Sequence, residues 1–217
     1  MSRKLKSRLI QAVLIIGIVI LGTFIYRSIM RPEKFRIMAL DRQEVVIERM
    51  KDIRTAQLAF KNTYGNFAND FDTLIDFLEN GKIFIVQKIG NVPDSLTEAE
   101  AIRKGIVQRD TVLVDAFEEV FKDKPNLVAN ELQYIPYTEN QKFAMASDII
   151  ERGRIKVPVF EVIAPKEAYL SGVEGGLKGF INKILYSGIE KEFIKQDKYK
   201  NMVMGSLTEP TTNGNWE

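Results

Sequence analysis

The hydrophobic pattern divides the chain into an uncharged N-terminal run, an amphipathic segment and a mixed remainder. From Leu9 to Tyr26 no residue is charged, and only Gln11 and Thr23 carry polar side chains. As a helix this run spans about 27 Å, close to a hydrocarbon core of roughly 30 Å. A single segment satisfies its backbone hydrogen bonds in lipid only as a helix. We therefore predict that residues 9–30 form a transmembrane helix in contact with membrane lipid.

The residues that flank this run favour an anchor that stays attached. A cleaved signal peptide is the alternative, but its apolar region is shorter and is followed by a small-x-small site. Residues 26–31 contain no such site. Basic residues lie on both sides of the run, in the tip before it and at Arg27, Arg31, Lys34, Arg36 and Arg42 after it, so their count does not decide the orientation. We expect a single pass through the inner (cytoplasmic) membrane, with the basic tip 1–8 in the cytoplasm and the domain in the periplasm or otherwise outside the cytoplasm.

Residues 31–65 form an amphipathic extension of the membrane helix. Apolar residues recur there every three or four positions, which predicts one apolar stripe along a helix. We place Pro32 in the first turn of a new helix, after a bend where the chain leaves the bilayer, and the end of this helix at Tyr64-Gly65. The stripe either covers the chain's own domain or packs laterally against other helices. The candidate partner-binding residues are Met50, Ile53, Phe60, Tyr64 and, in the tail, Trp216.

The pattern over residues 66–207 predicts a small α+β domain. We expect short helices, the first of them capped by Asn69 or Asp70, and strands that pair mainly as antiparallel neighbours. Pro158 suggests an edge position or a bulge. The predicted helices cover residues 71–79, 97–104, 116–121 and 180–193, and the predicted strands cover 82–88, 106–114 (broken at Arg109-Asp110), 132–136, 142–149, 156–163 and 202–207. The three runs between 132 and 163 form a predicted meander covered on one face by the long helix.

Two segments of this remainder are predicted to lack regular structure. The glycines between Gly172 and Gly179 form a loop without the fingerprint of a phosphate-binding site. The tail, residues 208–217, is disordered, docked on the chain's own domain or an anchor for a partner, and the sequence does not decide among these.

The amino-acid composition excludes several kinds of functional site. The chain has no Cys and no His, which excludes disulfides, thiol chemistry, zinc fingers and His-activated nucleophiles. Residues 1–36 hold eight Lys or Arg and one Glu, whereas the rest of the chain holds 23 basic and 28 acidic residues. Because the domain is mildly acidic, we expect no nucleic-acid partner.

The acidic clusters do not form a recognisable catalytic pair. Glu118 and Glu119 are adjacent on a predicted helix and do not face each other. Asp70 and Asp72 lack the Gly and the distal Glu of a calcium loop. We expect no enzymatic activity, no cofactor and no metal.

One run of the sequence resembles part of a known family of membrane proteins, which favours a structural role. The run from Ile53 to Phe67 (IRTAQLAFKNTYGNF), followed by Leu74 and Phe77-Leu78, resembles the helix exit of type IV pilins and type II secretion pseudopilins. The similarity covers residues 9–80 and implies a half-embedded N-terminal helix packed beneath a small antiparallel sheet. Gly17 and Gly22 have no basic residue just before them, and the membrane segment has no acidic residue. The family's processing motif is thus absent, and we expect a membrane-resident relative rather than a pilus subunit.

The sequence therefore predicts a structural or interaction component of a bacterial envelope assembly or secretion apparatus, bound to other envelope proteins or to copies of itself. A membrane-anchored assembly-platform scaffold outside the pilin family is the second hypothesis. The predicted meander counts against it, because such scaffolds carry a ferredoxin-like domain. A carboxylate-dependent membrane-tethered enzyme is the third.

Overall fold

The computed structural model describes residues 3–89, 97, 100, 108–170, 188–189, 191–192, 194–195 and 201–217. The elements are α1 (Arg3–Tyr64), α2 (Phe71–Asn80), β1 (Lys82–Ile89), β2 (Gln108–Asp115), α3 (Ala116–Val120), a 3-10 helix (Ala129–Gln133), β3 (Ala144–Arg152), β4 (Ile155–Pro165), α4 (Lys166–Leu170) and β5 (Asn201–Gly205). The α+β class and the long N-terminal helix are confirmed, with two small antiparallel sheets in place of one.

Helix α1 is continuous from Arg3 to Tyr64, and Pro32 lies inside it. The prediction that a new helix begins at Pro32 is therefore wrong. Proline in a helix removes one backbone hydrogen bond and costs about 3 kcal/mol, and long helical segments on both sides keep the chain helical. Beyond Pro32, buried residues recur every three or four positions on one face of α1, namely Phe35, Ala39, Arg42, Val46, Met50, Ile53 and Gln57.

That face of α1 belongs to one hydrophobic core shared with the rest of the domain. Met50 and Ile53 are fully buried, as are Leu74 of α2 and Phe160 of β4. Residues 35–57, which were assigned to a separate extension, are thus part of the same packed unit as the predicted domain 66–207. At about 25 cal/mol per Å² of buried apolar area, this shared core is the main source of stability.

A polar side chain anchors the end of α1 to the segment that follows it. Gln57 is fully buried, and its side-chain amide pairs with the backbone of Ala68. The Ala68 N–H donates to Gln57 Oε1, Gln57 Nε2 donates to the Ala68 carbonyl, and both distances are 2.9 Å. These two hydrogen bonds resemble those that pair two residues in neighbouring β-strands. It fixes the turn after Gly65, whose φ of 84° a side chain would resist.

Helix α2 follows the predicted pattern closely. Asp70 is its N-cap and accepts a hydrogen bond from the Thr73 N–H at 2.8 Å. That bond, with a contribution from the Thr73 hydroxyl, lowers the pKa of the Asp70 carboxyl because it stabilises the charged form.

Strands β1 and β2 form an antiparallel ribbon in which Lys82 pairs with Asp115 and Ile89 pairs with Gln108. The predicted break at Arg109-Asp110 is wrong, because both residues pair with β1. Strand pairing is made by the backbone, so a charged dipeptide need not interrupt it.

The second sheet has the order β3-β4-β5. The predicted strand over residues 132–136 is wrong, since residues 129–133 form a 3-10 helix and only Tyr134 makes an isolated bridge, to Lys142. The third strand is instead β5, which pairs with the second half of β4. The assembly-platform scaffold was disfavoured because of the predicted meander. Since that meander is absent from residues 132–163, the structure removes the reason for disfavouring this hypothesis.

Pro158 illustrates why strand order matters for proline. It lies in β4, the central strand, and faces Ile149 of β3. Strand β5 pairs only with Glu161 to Pro165. Among the described residues, β4 is therefore unpaired on its other side at Pro158, which accommodates a residue with no N–H to donate.

Other predictions fall largely outside the described residues. They are the glycine-rich loop 172–179, most of the helix predicted over 97–104 and most of that over 180–193. Thr97 and Glu100 are described, and the Thr97 N–H and hydroxyl both donate to the Glu100 carboxylate. The bond from the Thr97 N–H is one of the two hydrogen bonds that their capping-box spacing predicts.

We predict that Gln57→Ala lowers the free energy of unfolding by about 2–3 kcal/mol, because the buried Ala68 N–H and carbonyl lose their partners. Urea denaturation of the purified protein in detergent measures this. Asn62→Ala, on the exposed side of the same helix, is the matched control and should change stability by less than about 0.5 kcal/mol. Equal effects of the two variants would refute the role of Gln57.

We predict that Asp70→Ala costs about 1 kcal/mol at pH 7. A lowered folded-state pKa contributes stability above the unfolded value of about 3.9, and this contribution is lost as pH falls through the lower folded value. Asp70→Asn retains a cap without a charge, so its stability relative to the native protein should recover at low pH. Urea midpoints measured from pH 7 to pH 3 test this, and parallel pH profiles of Asp70→Asn and the native protein would contradict it.

Candidate membrane span and interaction surfaces

From Val13 to Tyr26, helix α1 is apolar and exposed on all sides. Large hydrophobic side chains between Val13 and Tyr26 are 58–75% exposed, with Phe24 the most exposed. None of the most apolar stretch of the helix is buried by the rest of the chain. The structure thus contains, among the described residues, one helix that is long and apolar enough to cross a membrane.

The helix changes environment within a few residues. Ile29 is 64% exposed, whereas Phe35 is 1% exposed and belongs to the core. A charged pair brackets Phe35 at this change, with Arg36 Nη2 2.9 Å from Glu33 Oε1. The hydrogen bond from Arg36 lowers the pKa of Glu33. A pocket of about 630 Å³ opens beside this stretch, lined by Ile29, Met30, Pro32, Glu33, Arg36, Gly188, Ile189 and Glu192.

Arg42 is a buried cation that sequence reasoning missed. It was counted among the basic residues that flank the membrane helix, but it is 6% exposed and lies within the domain. Its Nη1 donates to the carbonyl of Tyr169 at 2.9 Å and to that of Leu170 at 3.3 Å. The guanidinium also lies 5.1 Å from the ring centroid of Tyr137. These contacts tie α1 to the end of α4 and offset the cost of burying the charge.

Tyr137 itself has an unusual backbone. Its φ is 64°, in the left-handed region that non-glycine residues seldom occupy. The turn that contains it is closed by hydrogen bonds between Ile135 and Gln141 and between Phe143 and Gln133. The strained residue is therefore held by its surroundings, with its ring against Arg42.

The predicted partner-binding residues of α1 occupy different environments. Met50 and Ile53 are fully buried in the core, so they cover the chain's own domain and offer no surface to a partner. Phe60 is partly buried and Tyr64 is 57% exposed. The ring of Phe60 lies 4.7 Å from that of Tyr64 and 5.3 Å from that of Phe77. Of this stripe, only its end at Tyr64 is substantially exposed.

The tail is docked on the chain's own domain. Asn215 donates its backbone N–H to Val203 and its side-chain amide to Asn201, each at 2.9 Å. Glu217 Oε1 lies 2.8 Å from Arg54 Nη1 on α1. Trp216 is half-buried against the core. Of the three interpretations of the tail, the structure supports docking on the chain itself, and the contact of Trp216 with a partner stays a prediction.

The side of α1 that faces away from the core carries a surface that was not predicted. Between residues 37 and 48 three apolar and three acidic side chains are exposed, and we call them the outward face. Its members are Ile37, Leu40, Asp41, Glu44, Val45 and Glu48. Their three- and four-residue spacing places them on one face of the helix. The prediction considered only the apolar stripe on the core side and missed this face.

Two further observations bear on function. No family model, curated protein or solved structure matches the chain. Within the described residues, no group of three or more acidic side chains is arranged to hold a metal ion.

We predict that Arg54→Met loosens the tail, because the ion pair with Glu217 is lost together with the hydrogen bond to the Thr212 carbonyl. Trp216 is the single tryptophan of the chain and reports on the tail directly. Acrylamide quenching of its fluorescence should increase about twofold. Lys51→Met, an exposed substitution on the same helix, is the control and should leave quenching unchanged. Equal quenching in all three proteins would show that Arg54 does not hold the tail.

Proposed function

We propose that the protein is a single-pass membrane protein whose role is structural. In this proposal the first part of α1 anchors the chain in the membrane, and the rest of α1 contributes to the core of the domain. The observation that carries this is the change of environment along one helix. Large apolar side chains from Val13 to Tyr26 are exposed all round, and the core begins at Phe35. Such an apolar surface is far larger than a soluble monomer normally exposes, and lipid is the solvent that suits it.

The proposed arrangement places residues 9–30 in the inner membrane, with the basic tip in the cytoplasm and the domain outside it. A helix of 22 residues spans about 33 Å, enough for a bilayer core. The Glu33–Arg36 pair then lies at the headgroup level, where charged side chains are solvated.

We further propose that the domain presents surfaces to other envelope proteins in an assembly or secretion apparatus, as its resemblance to pilins and pseudopilins implies. An α+β domain with a long N-terminal helix and small antiparallel sheets is compatible with that family. A binding role without catalysis fits a chain with no His or Cys.

The anchor is tested by alkaline carbonate extraction of membranes. The native protein and Ile16→Leu/Ile20→Leu should remain in the pellet. Ile16→Asp/Ile20→Asp should move to the supernatant, because each charge at the centre of the span costs about 3 kcal/mol. Release of the native protein into the supernatant would overturn the proposal.

The orientation is tested with single cysteines, since the chain has none. Glu139→Cys, in an exposed turn of the domain, should react with a membrane-impermeant maleimide in intact spheroplasts. Ser7→Cys, in the basic tip, should react only after the membrane is permeabilised. The opposite pattern would place the domain in the cytoplasm.

A further inference from the structure

The ribbon of strands β1 and β2 carries apolar side chains on both of its faces. On one face Ile83 and Val114 are paired and half-buried. On the other face Phe84 is paired with Leu113, and these side chains are 68% and 52% exposed. Among the described residues the ribbon pairs with no third strand. Because a two-stranded ribbon is only marginally stable in water, a further strand at its edge would stabilise it.

Strand β2 has backbone groups that point away from β1. The Ala116 N–H donates to the Gly81 carbonyl at 3.0 Å, which sets the alternation of hydrogen-bonded pairs along the ribbon. By that alternation Thr111 and Leu113 direct their N–H and C=O groups to the open edge. Residues 108–115 contain no proline and pair one to one with β1, without a bulge. This edge therefore lacks two of the devices that block strand addition in other proteins.

The charges of β2 match the same strand running in the opposite direction. Arg109 lies near the start of the strand, Asp115 lies at its end, and Val112 is midway between them. When two antiparallel copies of β2 are centred on Val112, Arg109 of each copy comes opposite Asp115 of the other. The remaining charge of the strand, Asp110, comes opposite Val114. Opposite charges that face each other across two strands stabilise the pairing.

We propose that the open edge of β2 pairs with the same edge of a second copy of this chain. The product is a four-stranded antiparallel sheet, β1-β2-β2-β1, with a two-fold axis at Val112. Thr111 and Leu113 exchange backbone hydrogen bonds across the axis, and the two exposed Leu113 side chains become diagonal neighbours on one face. This inference goes beyond the proposed membrane anchor and does not depend on it.

The order of charges favours this pairing over others. The register places Lys88 opposite Arg109, and like charges in that position destabilise a ribbon. Asp115 of a second copy, set beside Arg109, offsets this repulsion. Two β1 edges paired about Ile85 would instead bring Lys82 opposite Lys88. Lysine at an edge discourages strand addition, so β2 is the edge that is open to a second copy.

Disulfide cross-linking of the full-length protein in intact cells tests the proposal, since the chain has no cysteine of its own. At the proposed axis the two Val112 residues form a non-hydrogen-bonded pair with Cα atoms about 4.5 Å apart. A disulfide bridges that distance. Val112→Cys should therefore give a covalent dimer on non-reducing gels after treatment with copper phenanthroline.

Val114→Cys is the matched control, because Val114 is half-buried on the same face of the same strand. In the proposed sheet the two Val114 residues are separated by about 13 Å along the strands, which is too far for a disulfide. This variant should remain monomeric under the same treatment. Dimers from both variants, from neither, or a cross-link from Val112→Cys to a different protein would overturn the inference.

A charge exchange tests the register itself. Added to Val112→Cys, Arg109→Asp should lower the dimer yield at least about fivefold, because both opposite-charge pairs become like-charge pairs. Asp115→Arg in the same chain restores opposite charges at both positions and should restore the yield. A yield that ignores the first change, or that the second does not restore, would contradict the proposed pairing. Alkaline extraction tests the anchor separately, so either proposal can fail while the other stands.

Discussion

The whole structure depends on one unbroken helix that meets two different environments. From Val13 to Ile29 the large apolar side chains of α1 are exposed on every side, and from Phe35 onward one face is buried in the core. An α-helix satisfies its own backbone hydrogen bonds, so it passes from one environment to the other without rearrangement. Only the side chains change. The backbone remains helical even through Pro32.

Within the domain, two buried polar side chains hold α1 in place. Gln57 pairs with both backbone groups of Ala68, and Arg42 donates to the carbonyls that end α4. Apolar packing alone would allow α1 to slide or rotate against its neighbours. A buried donor that loses its acceptor costs about 1–3 kcal/mol, so these contacts set the register of α1 against the segments on each side. The ion pair between Arg54 and Glu217 adds the tail to the same helix.

Predictions that rested on local chemistry agree with the structure. The Asp70 cap and the end of α1 at Gly65 depend on neighbouring residues alone, and the β-branched run predicted as a strand over 82–88 forms β1 over Lys82–Ile89. Predictions that depended on distant partners were less reliable. Residues 132–136 have strand composition, yet their backbone bonds close a local turn. Arg42 was placed at the membrane flank because its partners, Tyr169 and Leu170, lie more than 120 residues away.

The apolar stripe of α1 that was proposed to bind a partner shows another limit of prediction from sequence. An amphipathic stripe indicates that one face of a helix is covered, but the pattern cannot say whether by the chain's own domain or by a partner. The burial of Met50 and Ile53 assigns that stripe to the domain. Leu40 and Val45 lie about 140° apart on the other half of the helix, and single half-exposed apolar side chains of this kind are ordinary on protein surfaces, so they do not by themselves indicate a partner.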